Sequence, residues 1–295
     1  MKFFIADAFT DTLFGGNPAG VVLLPEGENF PSDEIMLSTA AELRYSETAF
    51  VKQLSPNEFN IRYFTPAAEV DLCGHATIAS FYCLMSSGII SSDCHCVNHT
   101  LAGDINIEIK DAFVMMDMAA PKFIGILDKP VEIDRLYETM GSEYDASIGM
   151  YPMIISTGLP DIMLPVKTQA ELNALAPNMT ALSKLSEEYN VTGVHAFTLD
   201  SIGGVTAHCR NFAPLYDIDE EAATGTSNGA LTYFLYLNKA IESKAKCRII
   251  QGEAMNRPSV ILTEIDAETG NDGSFDCTVK VGGRAVILAS GEISI

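Results

Sequence analysis

Two stretches of the chain hold side chains that could act together chemically. They are Tyr63–Leu84, "YFTPAAEVDLCGHATIASFYCL", and Glu220–Leu237, "EEAATGTSNGALTYFLYL". In the first, Cys73, Gly74 and His75 mark the point where an acidic lead-in gives way to a run with no Asp, Glu, Lys or Arg until Asp93. The second sets Thr224, Gly225, Thr226 and Ser227 before a similar run. If each run is a helix, its first amides lack intrahelical partners and carry partial positive charge. A glycine there lets a ligand come close, and a carboxylate is the natural guest. A thiol such as Cys73 has its pKa lowered at a helix start and can serve as base or nucleophile. A third candidate is Glu47, set among hydroxyl and small residues in "YSETAF". Each residue also has a plain structural reading. Cys73 can be a small buried side chain, His75 a hydrogen-bonded core histidine, and Glu47 a solvent-facing strand-edge charge. Glu220 and Glu221 can do no more than complement a helix dipole.

Other groupings are weaker. Cys94, His95 and Cys96 with His99 form the one dense Cys/His cluster, without the separated ligand pairs of zinc sites. In a strand, Cys94 and Cys96 share a face and His95 points away, so no metal site is expected there. A two-thiol racemase needs a second cysteine at the second helix mouth, where the chain has Thr224 instead.

The elements that must position these residues are legible from periodicity. "KFFIADAF" reads as a strand, "FGGNPAG" as a turn and Val21–Leu24 as a second strand. Ser32 suits the N-cap of a helix reaching about Arg44, with Ile35, Met36, Thr39, Ala40 and Leu43 near one face. Ser46–Val51 reads as extended. Phe59, Ile61 and Tyr63 alternate with polar residues, as do Ile105, Ile107 and Ile109, for which "DAFVMMDM" is the hairpin partner. "AAPK" (119–122) suits a linker. Beyond it, Met153–Ser156, Val194–Leu199 and Val205–Asn211 read as strands, and Glu171–Ala176 and Ala181–Tyr189 as helices. The charge-free runs are apolar on every face, so both helices must be enclosed. The pattern predicts an α+β fold of two similar halves, each a strand layer wrapped around a central helix. The halves are 1–119, rejoined by strand 285–295, and 120–284.

Composition excludes several function classes. The 295 residues are 47% hydrophobic and 19% charged, enough apolar content for a sizeable core. Lys and Arg number 18 against 39 Asp and Glu, a net charge of −21, which repels nucleic-acid backbones. Leu72–Ile90 is long enough to raise the membrane question but carries Gly, His and Ser without basic flanks. The N-terminus is not a secretory signal, and seven cysteines suit reduced thiols in the cytoplasm.

Together, "FTDTLFGGNPAGVVL", "SETAFV", "RYFTPAAEVDLCGHATIAS", "CRNFAP…EEAATGTSNGAL" and "QGEAMNRPSVI" resemble the phenazine-biosynthesis isomerase (PhzF-like) family, of the diaminopimelate-epimerase fold. The resemblance implies that the strand layer of each half is a curved antiparallel sheet around the central helix. It also implies proton transfer without a cofactor, on a small carboxylate-bearing substrate held between the halves, and a homodimer. It implies Glu47 as proton shuttle, with a pKa raised toward neutrality by burial. His75 and Glu221 are then catalytic partners, and Gly74, Gly225, Thr226 and Cys73 line the substrate site. The family's "EDPATGSA" reads "EEAATGTS" here, which lengthens one acid to Glu221 and adds a methyl at Thr226. Its usual glycine shortly before is Asp217, and its proline is Ala222.

Overall fold

Strand β1 (Lys2–Ala8) pairs antiparallel with β2 (Asn17–Leu23) on one side and with the C-terminal strand Ala285–Glu292 on the other. The computed structural model describes residues 1–270 and 274–295. These fall into two compact units, Met1–Asp117 with Gly282–Ile295, and Met118–Val281. In the first unit, helix α1 (Asp33–Leu43) carries the chain over so that β3 (Thr48–Ser55) lies parallel to β2. β3 pairs antiparallel with β4 (Glu58–Phe64), whose end takes the short β5 (Glu69–Val70). Helix α2 (Gly74–Ser86) is a second crossover and sets β6 (Asp93–Thr100) parallel to β4. β7 (Gly103–Lys110) and β8 (Phe113–Asp117) follow antiparallel. Asp111 and Ala112, both at positive φ, make the two-residue turn between them.

The second unit repeats this order. β9 (Lys122–Ile126), helix α3 (Pro130–Thr139), β10 (Met153–Ser156) and β11 (Pro160–Pro165) come first, with β9, β10 and β11 antiparallel neighbours. Helices α4 (Gln169–Ala174) and α5 (Met179–Tyr189) cross over to β12 (Gly193–Thr198), parallel to β11. β13 (Ala207–Ala213) pairs antiparallel with β12 and takes the short β14 (Ile218–Glu221) at its end. Helix α6 (Gly225–Leu237) then crosses to β15 (Lys246–Gln251), parallel to β13. β16 (Ser259–Thr269) pairs antiparallel with β15, and β17 (Phe275–Gly283) follows. Each unit thus adds two parallel pairings to the antiparallel pattern expected. The reason is connectivity, because a parallel pair needs a crossover and the enclosed helix supplies one.

Enclosure is what makes α2 and α6 unusual. α2 is buried from His75 to Phe81 and touches β1, β2, β3, β8 and the C-terminal strand. Its polar residues are satisfied internally: Thr77 and Ser80 donate to the carbonyls of Cys73 and Ala76, each at 2.7 Å. α6 packs on β10, β11 and β16. The outer helices are amphipathic instead. In α3 and α5, Ile133, Leu136, Leu182 and Leu185 cover strand residues Ile162, Leu164, Val194 and Ala196. α1 buries Met36, Thr39 and Ala40, whereas Ile35, expected on that face, is 42% exposed. Among the described residues, no helix is long and apolar enough to cross a membrane.

Candidate active site

Glu47 immediately precedes β3, and Cys73 is the N-cap of α2. Because β3 lies next to α2, the strand start and the helix mouth bring Glu47, Cys73 and His75 together. The His75 Nε2 lies 3.2 Å from the Glu47 Oε2 and 3.3 Å from the Ser46 hydroxyl. On the other ring nitrogen, Nδ1, the Asn17 amide nitrogen approaches to 3.2 Å and the Cys73 Sγ to 3.4 Å. The His75 side chain is 4% exposed and that of Glu47 15%. Gly74 is the first residue of α2 and leaves the backbone accessible at the mouth.

Burial and pairing oppose each other in this cluster. Burial alone raises the Glu47 pKa, but the close approach and charge of His75 outweigh it and hold the carboxyl below its ordinary value. Burial works against charge on His75 too. Cys73 and Glu47 overcome it and hold the imidazole well above its ordinary value. The Cys73 thiol is pushed up to about 11, by burial first and then by the Glu47 charge. At neutral pH the site is therefore a carboxylate–imidazolium pair beside a neutral thiol. This corrects the expected raised pKa of Glu47: the neighbouring imidazolium reverses the effect of burial.

The second unit presents a mouth of the same build. Thr224 is the N-cap of α6 with φ −128° and ψ 105°, close to −137° and 115° at Cys73. Four residues on, the Asn228 amide donates to the Thr224 carbonyl at 2.8 Å, as Thr77 does to Cys73. The surface helices α1, α4 and α5 are capped by the side chains of Ser32, Thr168 and Asn178. Neither Cys73 nor Thr224 makes such a cap bond, so at both enclosed helices the cap side chain does not occupy the amide face. Gly225 and Thr226 open α6, and the Thr226 carbonyl accepts from the Thr157 hydroxyl at 2.8 Å. Thr224 donates instead to the Glu221 carboxylate at 2.7 Å.

Glu220 and Glu221 part company. Glu220 receives two bonds from the Arg210 guanidinium, at 2.9 and 2.8 Å, a structural pairing that also ties in the Leu175 carbonyl. Glu221 alone belongs to the mouth. Asp217 has φ +61°, a conformation that a glycine takes without strain.

Several residues at these mouths carried no sequence signal. Asn17, inside a segment read as a turn, is the first residue of β2 and reaches His75. Gln251 stitches the second mouth. It donates to the Glu221 carbonyl at 2.7 Å and accepts from the Asn228 amide at 2.7 Å. Asp161 accepts from the Ser227 hydroxyl at 2.5 Å, and its other oxygen has no hydrogen-bond partner. His195, also fully buried, has its pKa lowered to about 4 by burial and is a neutral core histidine. Cys94 and Cys96 do share a face, with sulfurs 3.8 Å apart. His99 turns to Asp104, and among the described residues the one metal-capable grouping is Glu47, Cys73 and His75.

Asp161 yields a stability prediction. Burial raises its pKa to about 6, against the lowering effect of Ser227 and the Gly193 amide. A raised acid contributes fully below its unfolded pKa, about 3.9. That contribution is lost as pH rises through the folded value. Asp161→Asn, which keeps an acceptor for Ser227, removes this dependence. Between pH 5 and 8 the parent protein should lose about 1–2 kcal/mol relative to the variant, read from urea unfolding at both pH values. A difference that does not change with pH would refute the assignment.

Comparison with known proteins agrees with this architecture. The phenazine biosynthesis-like protein family (PhzC-PhzF) matches residues 6–291. An uncharacterized isomerase of Clostridium acetobutylicum is 32% identical over 97% of this chain and 96% of its own. The crystal structure of a phenazine biosynthesis protein, PhzF family, from Bacillus anthracis superposes with a TM-score of 0.86 at 25% identity, covering 100% of this chain and 99% of that one. A probable proline racemase from Agrobacterium radiobacter, 13% identical, shares the fold with a TM-score of 0.65 over 100% of this chain and 93% of its own.

Proposed function

Since the chain belongs to the phenazine biosynthesis-like family, we propose that it is a cofactor-independent isomerase that moves a proton between carbons of a small carboxylate-bearing substrate, with Glu47 as the shuttle. The observation that carries this reading is the buried Glu47–His75 pair, 3.2 Å apart. Glu47 is ionised and ready to accept a proton. Once protonated beside an imidazolium it is a stronger acid than an ordinary carboxyl, and so returns the proton readily. The same lowered pKa makes it a weaker base, so the developing anion needs stabilisation. His75 and the amides of the uncapped α2 mouth are suited to supply it. Gly74 is assigned to line that mouth, and Glu221, Gly225 and Thr226 are assigned as substrate contacts at the α6 mouth of the second unit.

The test is isotope exchange. The protein in heavy water, given dihydro-hydroxyanthranilate and a panel of amino and keto acids, should place deuterium on carbon of at least one member, read by mass spectrometry. Exchange with none of them, by a folded protein, would count against the proposal.

A second reading, racemisation by Cys73, is favoured by the shared fold of the proline racemase. Against it, the thiol is protonated at neutral pH and Thr224 occupies the matching cap. Cys73→Ser should therefore lower exchange by no more than about tenfold. A larger loss, beyond the 10² scale of an acid–base residue, would shift the assignment to the thiol.

A further inference from the structure

The Glu47–Cys73–His75 cluster combines three donor types that a proton shuttle does not require. Thiol sulfur, imidazole nitrogen and carboxylate oxygen all lie within 4.8 Å of one another. Two of the separations among Cys73 Sγ, His75 Nε2 and Glu47 Oε2 are 3.7 Å from sulfur to nitrogen and 3.2 Å from nitrogen to oxygen. Zinc bonds of about 2.0 Å to N or O and about 2.3 Å to S give tetrahedral edges of about 3.3 Å (N to O) and about 3.5 Å (N to S). Both separations match those edges to within a few tenths of an ångström.

A second observation points the same way. Glu47 Oε2 is buried and makes no aligned hydrogen bond, although Nε2 is only 3.2 Å away. The mixed S, N, O set disfavours Mg²⁺ and Ca²⁺, which take oxygen ligands, and suits a borderline-soft ion. A chain of net charge −21 also concentrates cations around itself.

We propose that Cys73, His75 and Glu47 form a three-ligand site for a soft divalent cation, Zn²⁺ foremost, whose occupancy switches the enzyme off. Three protein ligands leave one position for water or a substrate oxygen, the pattern of an accessible rather than a closed site. Binding releases the Cys73 thiol proton and the His75 Nε2 proton to solvent, and takes the carboxylate of Glu47 and the Nε2 of His75 out of proton transfer together. The inhibitory part rests on Glu47 being the shuttle; the metal site itself does not.

Cobalt is the probe. Titration of the full-length protein with Co²⁺ should saturate at one equivalent, with the intense visible bands of a four-coordinate ion and a near-ultraviolet thiolate-to-cobalt band. Zn²⁺ should bleach both. Cys73→Ser should abolish the thiolate band, whereas Cys94→Ser, on the dithiol strand, should leave band and activity unchanged. Zn²⁺ should suppress deuterium exchange at least tenfold at one bound equivalent, and a chelator should restore it. Weak six-coordinate bands, no saturation, or a thiolate band that survives Cys73→Ser and vanishes in Cys94→Ser would each overturn the site. A saturated site with undiminished exchange would overturn the switch and, with it, the role of Glu47. Absent metal binding alongside an inactive Glu47→Gln would overturn the metal site alone.

Discussion

Glu47→Gln is expected to leave the fold intact and to cut deuterium exchange by about 10³-fold or more. One acid–base group contributes about 10²–10⁴-fold, and here the same carboxyl both accepts and returns the proton. Gln has nearly the same volume and can still meet the Ser46 hydroxyl and His75, so packing around the α2 mouth is preserved. Loss of the carboxylate removes one support of the imidazolium, and His75 becomes easier to deprotonate, which limits the cost in stability. Melting temperature and circular dichroism give the folded fraction by which exchange is normalised. Exchange within tenfold of the parent would show that another group moves the proton.

His75→Asn should act differently, through the pH profile. Without the imidazolium, burial is the main influence left on Glu47, and its pKa moves from below the ordinary value to above it. The acid limb of kcat/KM, which reports the free enzyme's base, should shift upward across the ordinary carboxyl value of about 4.3. Activity at pH 5 should then fall further below the variant's own plateau than the parent's falls below its own. The plateau should drop about 10²-fold, for loss of anion stabilisation. Unequal scaling across pH separates this from misfolding, which scales every point alike. An unmoved acid limb would show that His75 does not set the state of Glu47.

The same pair fixes a stability window. Glu47, with a depressed folded pKa, contributes above its unfolded value of about 4.3, and this is lost as pH falls through the folded one. His75, with a raised folded pKa, contributes below about 6.5, and this is lost as pH rises through its folded value. Both contributions are complete between those limits.

Much of the architecture was legible because local rules and the fold agree. Ser32 caps α1 as its position before an apolar period suggests, and β10 spans the residues its apolar run marks. The charge-free runs announce α2 and α6, since a helix without a polar face has to be enclosed. Their role as crossovers between parallel strands was not legible, because parallel and antiparallel neighbours leave the same alternation in sequence. α3, beyond β9, carries no assignment from sequence, and only Ile133, Leu136 and Tyr137 meeting the sheet explain it. At the site, Glu47 and His75 could be nominated, but the sign of the Glu47 pKa shift could not. It depends on a 3.2 Å contact between residues 28 positions apart in the chain. Asn17 and Gln251 were hidden for the same reason, as amides whose value lies wholly in which atoms they reach.

The pairing of β1 with Ala285–Glu292 sets an order of events during synthesis. The second unit is one continuous stretch, Met118–Val281, and holds its strands before Ala285–Glu292 is translated. The first unit begins earlier but lacks a strand until Ala285–Glu292 has been made, because Lys2 finds its partner at Glu292. Closing so long a loop is slow relative to local contacts. The half made first is therefore the half completed last. The α2 mouth bearing Glu47, Cys73 and His75 acquires its full sheet only once Ala285–Glu292 has emerged, so immature chains hold an open edge beside β1 that a chaperone can cover.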